Sequence, residues 1–146
     1  MVRKFRAWDK ENDRVIYPST EGVCFELDDD GINILDVSGD YPEDHTFPAI
    51  DSFLMQSTGL KDKNGVEIFE ADVVKVSDGG NEEDSYISVV KNYADEGYPA
   101  FDIEAPSSWY YESNVLSTIT RGEYETIEVI GNIYENPELL EKANEN

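Results

Sequence analysis

The stretch TGLKDKNGVEIFEADVVKV, Thr58 to Val76, decides how the chain is to be read. Asp62, Asn64 and Gly65 imitate part of a calcium-binding loop. An EF-hand loop needs glycine at its sixth position and oxygen ligands at its first and twelfth. With Gly65 in sixth place, the first position is Leu60 and the twelfth is Ala71, and neither side chain carries an oxygen. A turn asks for much less. Asn-Gly accepts positive φ at both central positions, as a type I′ hairpin turn requires. Ile68 and Phe69, then the β-branched run Asp72–Val76, read as strands after that turn. Asn64, Gly65 and Asp72 are therefore assigned to turn structure.

Working outward, the same grammar recurs. KFRAWDKENDRVIYP (Lys4–Pro18) reads as two short strands around a polar turn at Asp9–Asp13. In GVCFELDDDGINILD (Gly22–Asp36), Val23, Phe25 and Leu27 alternate with Cys24 and Glu26. Asp28-Asp29-Asp30-Gly31 then turns the chain, and Ile32, Ile34 and Leu35 bring it back. Adjacent aspartates do not all converge on one ion, so the triple Asp reads as a solvated turn. Ser38–Pro48 is a loop with two prolines. Ile50, Phe53, Leu54 and Met55 allow either one helical turn or a strand ending at Met55. Tyr86–Tyr93 and Tyr98–Ile103 read as a hairpin, and Thr126–Tyr134 as a strand. Asn136-Pro137 signals a helix start, with Asn136 as N-cap and Leu139, Leu140 and Ala143 as a short apolar face.

The expected fold is mostly β or α+β: short-stranded hairpins, a small barrel and a short C-terminal helix. The chain of 146 residues fits a single domain. Within it, residues 1–48 form an acidic hairpin part, and residues 49–146 the barrel part with the helix.

Charge is the strongest compositional fact, with 33 acidic against 11 basic residues and a net charge of −22. Residues 21–52 hold ten Asp or Glu and no Lys or Arg, while Arg3, Lys4, Arg6 and Lys10 sit near the start. Such a surface repels phosphate backbones, so direct nucleic-acid binding is disfavoured. Three uses of the charge remain: solubility, attraction to a basic protein surface, and mimicry of nucleic acid. A lone cysteine, Cys24, and the lack of an apolar leader suggest a reducing cytoplasm. No apolar run approaches the roughly 20 residues of a membrane helix.

Catalytic constellations are missing. The one histidine, His45, lies in a loop between acids, and Cys24 reads as a small packing or edge residue. A structural zinc site would need more Cys and His than the chain holds. Glu67, Glu70 and Asp72 cluster around one short strand, where a polar rim is the plainer reading. No cofactor is expected. The consecutive Trp109, Tyr110 and Tyr111 are the candidate protein contact, because alternation along a strand turns at least one ring away from the core. Base stacking would call for a basic groove, and Glu112 and Glu123 are nearby instead.

Three segments, KFRAWDKEN (Lys4–Asn12), LMQSTGLKDKNGVEIFEADVVKV (Leu54–Val76) and EVIGNIYENPELL (Glu128–Leu140), together resemble the YopX-like family of phage and prophage proteins. The resemblance implies an SH3-like barrel in the C-terminal part and a phage or prophage origin in a Gram-positive host. It supplies no catalytic residues. The family usually has Gly-Asp where this chain has Ala71-Asp72, so Ala71 is expected to relax any positive-φ turn there.

The function expected from these features is that of a non-enzymatic accessory protein. It would act through contacts with a host or phage protein and form homo-oligomers in the bacterial cytoplasm. An acidic nucleic-acid mimic blocking a host DNA- or RNA-binding protein is the first alternative. A carboxylate- or divalent-metal-dependent enzyme is the second.

Overall fold

A computed structural model of the chain describes residues 4–40, 46–79, 81–93, 101–104, 115–121 and 125–144. The architecture is mostly β, with short-stranded hairpins and a short C-terminal helix, as expected from the sequence. The chain divides into two compact units, Met1–Gln56 and Ser57–Asn146.

In the first unit, β1 (Phe5–Asp9) and β2 (Arg14–Ile16) form the anticipated hairpin. β1 also pairs antiparallel with the start of β5 (Ser52–Lys61), Trp8 opposite Phe53. β5 is therefore a strand rather than a helical turn, and it runs on past Met55. β3 (Val23–Asp28) and β4 (Gly31–Asp36) make a second hairpin, closed by Asp29-Asp30. Ala7, Ile16, Val23 and Ile34 form a buried cluster in this unit, where Trp8 and Met55 are buried as well.

Asp9 organises the first turn. Its Oδ1 accepts the backbone N–H of Glu11 and Asn12, and its Oδ2 accepts the Asn12 amide (2.8 Å) and the Arg14 guanidinium (3.3 Å). Burial raises the Asp9 carboxyl, but these four donors outweigh it and hold the group below its ordinary value. A carboxylate depressed in the folded state lends stability that is present above the unfolded value. That stability is lost as pH falls through the folded one. Unfolding free energy should thus drop below about pH 4, and Asp9→Asn should flatten that drop. A urea midpoint series at acidic pH checks this.

The second unit continues β5 into β6 (Glu67–Phe69) and builds an antiparallel sheet in the order β11-β7-β8. Its strands are β7 (Asp72–Asp78), β8 (Asn81–Val89) and β11 (Thr126–Asn132). Two short strands, β9 (Lys91–Asn92) and β10 (Phe101–Asp102), form the expected hairpin, although its first strand breaks at Val90. Val74, Val76, Tyr86, Leu116 and Ile127 lie at the heart of the core. Among the described residues, the unit also carries the helices α1 (Val115–Arg121) and α2 (Glu138–Asn144).

α1 has no counterpart in the sequence reading, because its segment is rich in β-branched residues. Two things hold it. Val115, Leu116 and Ile119 are buried on one face, and Asp102 Oδ1 accepts the Leu116 N–H from 14 residues away (2.8 Å). α2 begins where expected, but Asn136 does not cap it by side chain. Its Oδ1 accepts the Asn132 N–H instead, while its backbone carbonyl receives the Leu139 N–H.

Ala71 departs most sharply from expectation. It keeps φ at 74° rather than relaxing the turn between β6 and β7. Positive φ at the second linking residue is what a type II turn demands, and glycine usually meets it. The backbone here is pinned: Ala71 N–H donates to Val90 C=O, and Ile133 N–H donates to Ala71 C=O. Asp72, 1 % exposed, accepts the Phe69 N–H across the turn (2.8 Å). Alanine in this conformation costs about 1–2 kcal/mol. Glycine would lose about 0.5–1 kcal/mol in chain entropy and about 0.8 kcal/mol of methyl burial. These terms nearly cancel, which is how alanine is tolerated. Ala71→Gly should shift stability by less than about 0.5 kcal/mol, whereas Ala71→Val should cost about 2 kcal/mol, since a β-branched residue has no relief there. Chemical denaturation of the two variants separates them.

Candidate protein-contact surface

The β3–β4 hairpin presents an apolar row on one face and carboxylates around it. Directly opposed residues share a face, so Phe25 pairs with Ile34, and Leu27 with Ile32. Burial falls steadily from base to tip. Val23 is 8 % exposed and Ile34 5 %, Phe25 and Ile32 are half-buried, and Leu27 is 79 % exposed. The hairpin is longer than the core it covers. Alternation alone would have turned Leu27 inward, but it lies beyond the buried cluster at the hairpin's base and stays exposed.

The neighbouring carboxylates are Glu26 and Asp28 on the opposite face of β3 and Asp29 and Asp30 in the turn, all of them exposed. The turn is self-bonded: Asp28 accepts the Asp30 N–H through Oδ1 (2.8 Å) and the Asn33 amide through Oδ2. At the base, Asp36 accepts both the hydroxyl and the N–H of Ser38, and these bonds hold its carboxyl below the ordinary value. Cys24 is exposed on the opposite face of β3, so it is an edge residue and not a packing one.

The two edges of the hairpin differ. Val37 N–H donates to Gly22 C=O, which sets the phase of the β3–β4 ladder. By antiparallel alternation, Cys24, Glu26 and Asp28 then bond toward β4, while Phe25 and Leu27 direct N–H and C=O outward. β4's outer edge is covered in part: Asp36 N–H donates to Pro48 C=O and Ile50 N–H to Ile34 C=O. Among the described residues, β3's outer edge has no ladder partner.

The other candidates are placed as follows. Trp109, Tyr110 and Tyr111 lie outside the described residues, as does His45. The Asn64-Gly65 turn is not type I′, because left-handed φ falls on Gly65 (79°) and not on Asn64. Gly65 N–H donates to Asp62 C=O, closing a turn with glycine in its last position. The turn's true organiser is Asp62, which the sequence reading considered only as a failed calcium ligand. It is 7 % exposed; its Oδ1 accepts the N–H of Asn64 and Val66, and its Oδ2 that of Val129 (2.9 Å each). Alternation along β11 turns that amide away from β7, on the same edge as the Ile127 C=O that accepts the Lys63 N–H. Near Asp72, the Glu70 charge joins burial in raising the Tyr134 hydroxyl. Among the described residues, no group of three or more His, Cys, Asp or Glu is placed to hold a metal ion. No described helix is long and apolar enough to cross a membrane.

The model of the YopX protein family matches residues 4–141. The chain belongs to the YopX family. Among the solved structures, two are similar over nearly the whole chain. The protein yopX from Bacillus subtilis is 25% identical with a TM-score of 0.63, and the match covers 93% of this chain and 96% of that one. The protein EF1440 from Enterococcus faecalis is 30% identical with a TM-score of 0.58, covering 96% of this chain and 99% of that one. No curated protein matches. Family membership thus accounts for the fold, and what this YopX chain does must be argued from its own surface.

Proposed function

We propose that this YopX-family chain is a non-enzymatic phage or prophage accessory protein that works by binding another protein, with the β3–β4 hairpin as its contact surface. The observation that carries the reading is Leu27, 79 % exposed at the end of a row whose base is buried. Burying such a side chain in a partner is worth about 1.5–3 kcal/mol. The neighbouring carboxylates, in a stretch (residues 21–52) without Lys or Arg, favour a partner of positive charge and raise its rate of encounter. Self-association through this hairpin would set acid against acid, so a homo-oligomer would use a different face and tighten with salt. A cytoplasmic location and an SH3-like scaffold belong with this reading.

Capture from a Gram-positive host lysate at low and high salt supplies candidates. Each captured protein is then purified and rebound to the wild type and to Leu27→Ser. Leu27 is exposed, so the substitution should leave the fold intact. The expected result is a basic protein that binds less tightly as salt rises, and about tenfold more weakly to Leu27→Ser. Binding indifferent to Leu27→Ser would overturn the hairpin as the contact. Displacement of the captured protein by DNA would favour the nucleic-acid mimic instead.

A further inference from the structure

We infer that the outer edge of β3 accepts an extended segment of a partner protein as an added antiparallel or parallel strand, one in which basic and apolar residues alternate. The inference rests on the hairpin being the contact surface and specifies how it is used. Phe25 and Leu27 direct their N–H and C=O groups away from β4, and the equivalent edge of β4 already receives Pro48–Ile50. An open edge with free donors and acceptors is a template for another strand, and peptide recognition by strand addition uses such edges.

Side-chain alternation sets the chemistry of the guest. Residues beside each other on neighbouring strands share a face. A guest strand would place one set of side chains beside Phe25 and Leu27, where apolar groups extend the half-finished row. The other set would lie beside Glu26 and Asp28, both exposed, where Lys or Arg is favoured. A second copy of β3 fits badly, because Glu26 and Asp28 would face acids across the new ladder, and like charges in that position destabilise. The carboxylates that protect this edge from self-pairing therefore also select a cationic guest.

The test uses the full chain and two dye-labelled peptides of about eight residues, a usual strand length. One alternates Lys and Val; the other has the same residues with the lysines in one block. Fluorescence anisotropy at low salt should show saturable binding of the alternating peptide, with the block peptide about tenfold weaker. Leu27→Pro removes one outward N–H without touching the β3–β4 ladder, and should weaken the alternating peptide about tenfold. Amide exchange on the wild type guards against misfolding of that variant: the peptide should slow exchange at Phe25 and Leu27. Equal binding of both peptides without slowing at those amides would overturn strand addition while leaving a purely electrostatic contact standing. Absence of binding by either peptide at low salt would remove both readings.

Discussion

Asp62→Ala is expected to destabilise the second unit by about 3 kcal/mol, the largest single effect in the molecule. The carboxylate serves three backbone donors at once: Asn64 and Val66 in its own turn, and Val129 in β11. A hydrogen bond to a charged group is worth about 1.5–3 kcal/mol, and the three share one acceptor, so their losses are not additive. The Val129 bond weighs most, because it spans 67 residues and ties the β5–β6 turn to the β11-β7-β8 sheet. Nearby, Lys63 N–H donates to Ile127 C=O and the Lys63 ammonium meets Glu128 at 3.2 Å. That ion pair is half exposed and cannot replace Asp62. Asp62→Asn keeps an acceptor oxygen and should cost about half as much. Urea denaturation gives both values, and a loss under about 1 kcal/mol for Asp62→Ala would show that the tie is ornamental.

Gly131→Ala is expected to cost about 2–3 kcal/mol. A Cβ there would lie within 2.8 Å of Asn136 Cγ and 3.0 Å of Leu139 Cδ1, and closer still to Asn136 Oδ1. Turning the amide plane does not relieve a clash with Cγ. Asn136 is also held by its own N–H, which donates to Asn132 C=O (2.9 Å). The side chain must therefore leave its rotamer and release the Asn132 amide. The double variant Gly131→Ala, Asn136→Ala should recover more than about 1 kcal/mol of the loss expected from adding the two single changes. Strict additivity would mean that the methyl is accommodated elsewhere.

The local rules were legible where the turn chemistry was local. Asp28–Gly31 and Asp9–Asp13 mark hairpins because short polar side chains bond their own backbone. β5 was ambiguous because Phe53 and Leu54 are both exposed, at 44 % and 41 %, and break the alternation around Met55. The Lys10 ammonium, 3.9 Å from the Phe53 ring centre, covers one of them. α1 was not legible because its cap, Asp102, is distant in sequence. Asp62 passed unrecognised for the same reason: the Val129 amide it binds is close only in the fold. Ala71 was marked as unusual, but the strain stays in place because partners on either side of it fix the backbone.

The contact surface was half legible. The acids of residues 21–52 are plain in the sequence, and the alternation of β3 is too. What alternation cannot show is that the hairpin outruns its core, leaving Leu27 bare. The sequence reading put its weight on Trp109–Tyr111 instead, a segment outside the described residues. Both surfaces can be compared directly. The measurement is hydrogen exchange by mass spectrometry on the full chain, with and without a purified binding partner. The hairpin account expects slowed exchange across residues 22–37, strongest at β3. Slowing confined to residues 105–114, with the hairpin unchanged, would contradict it and return the contact to the aromatic run.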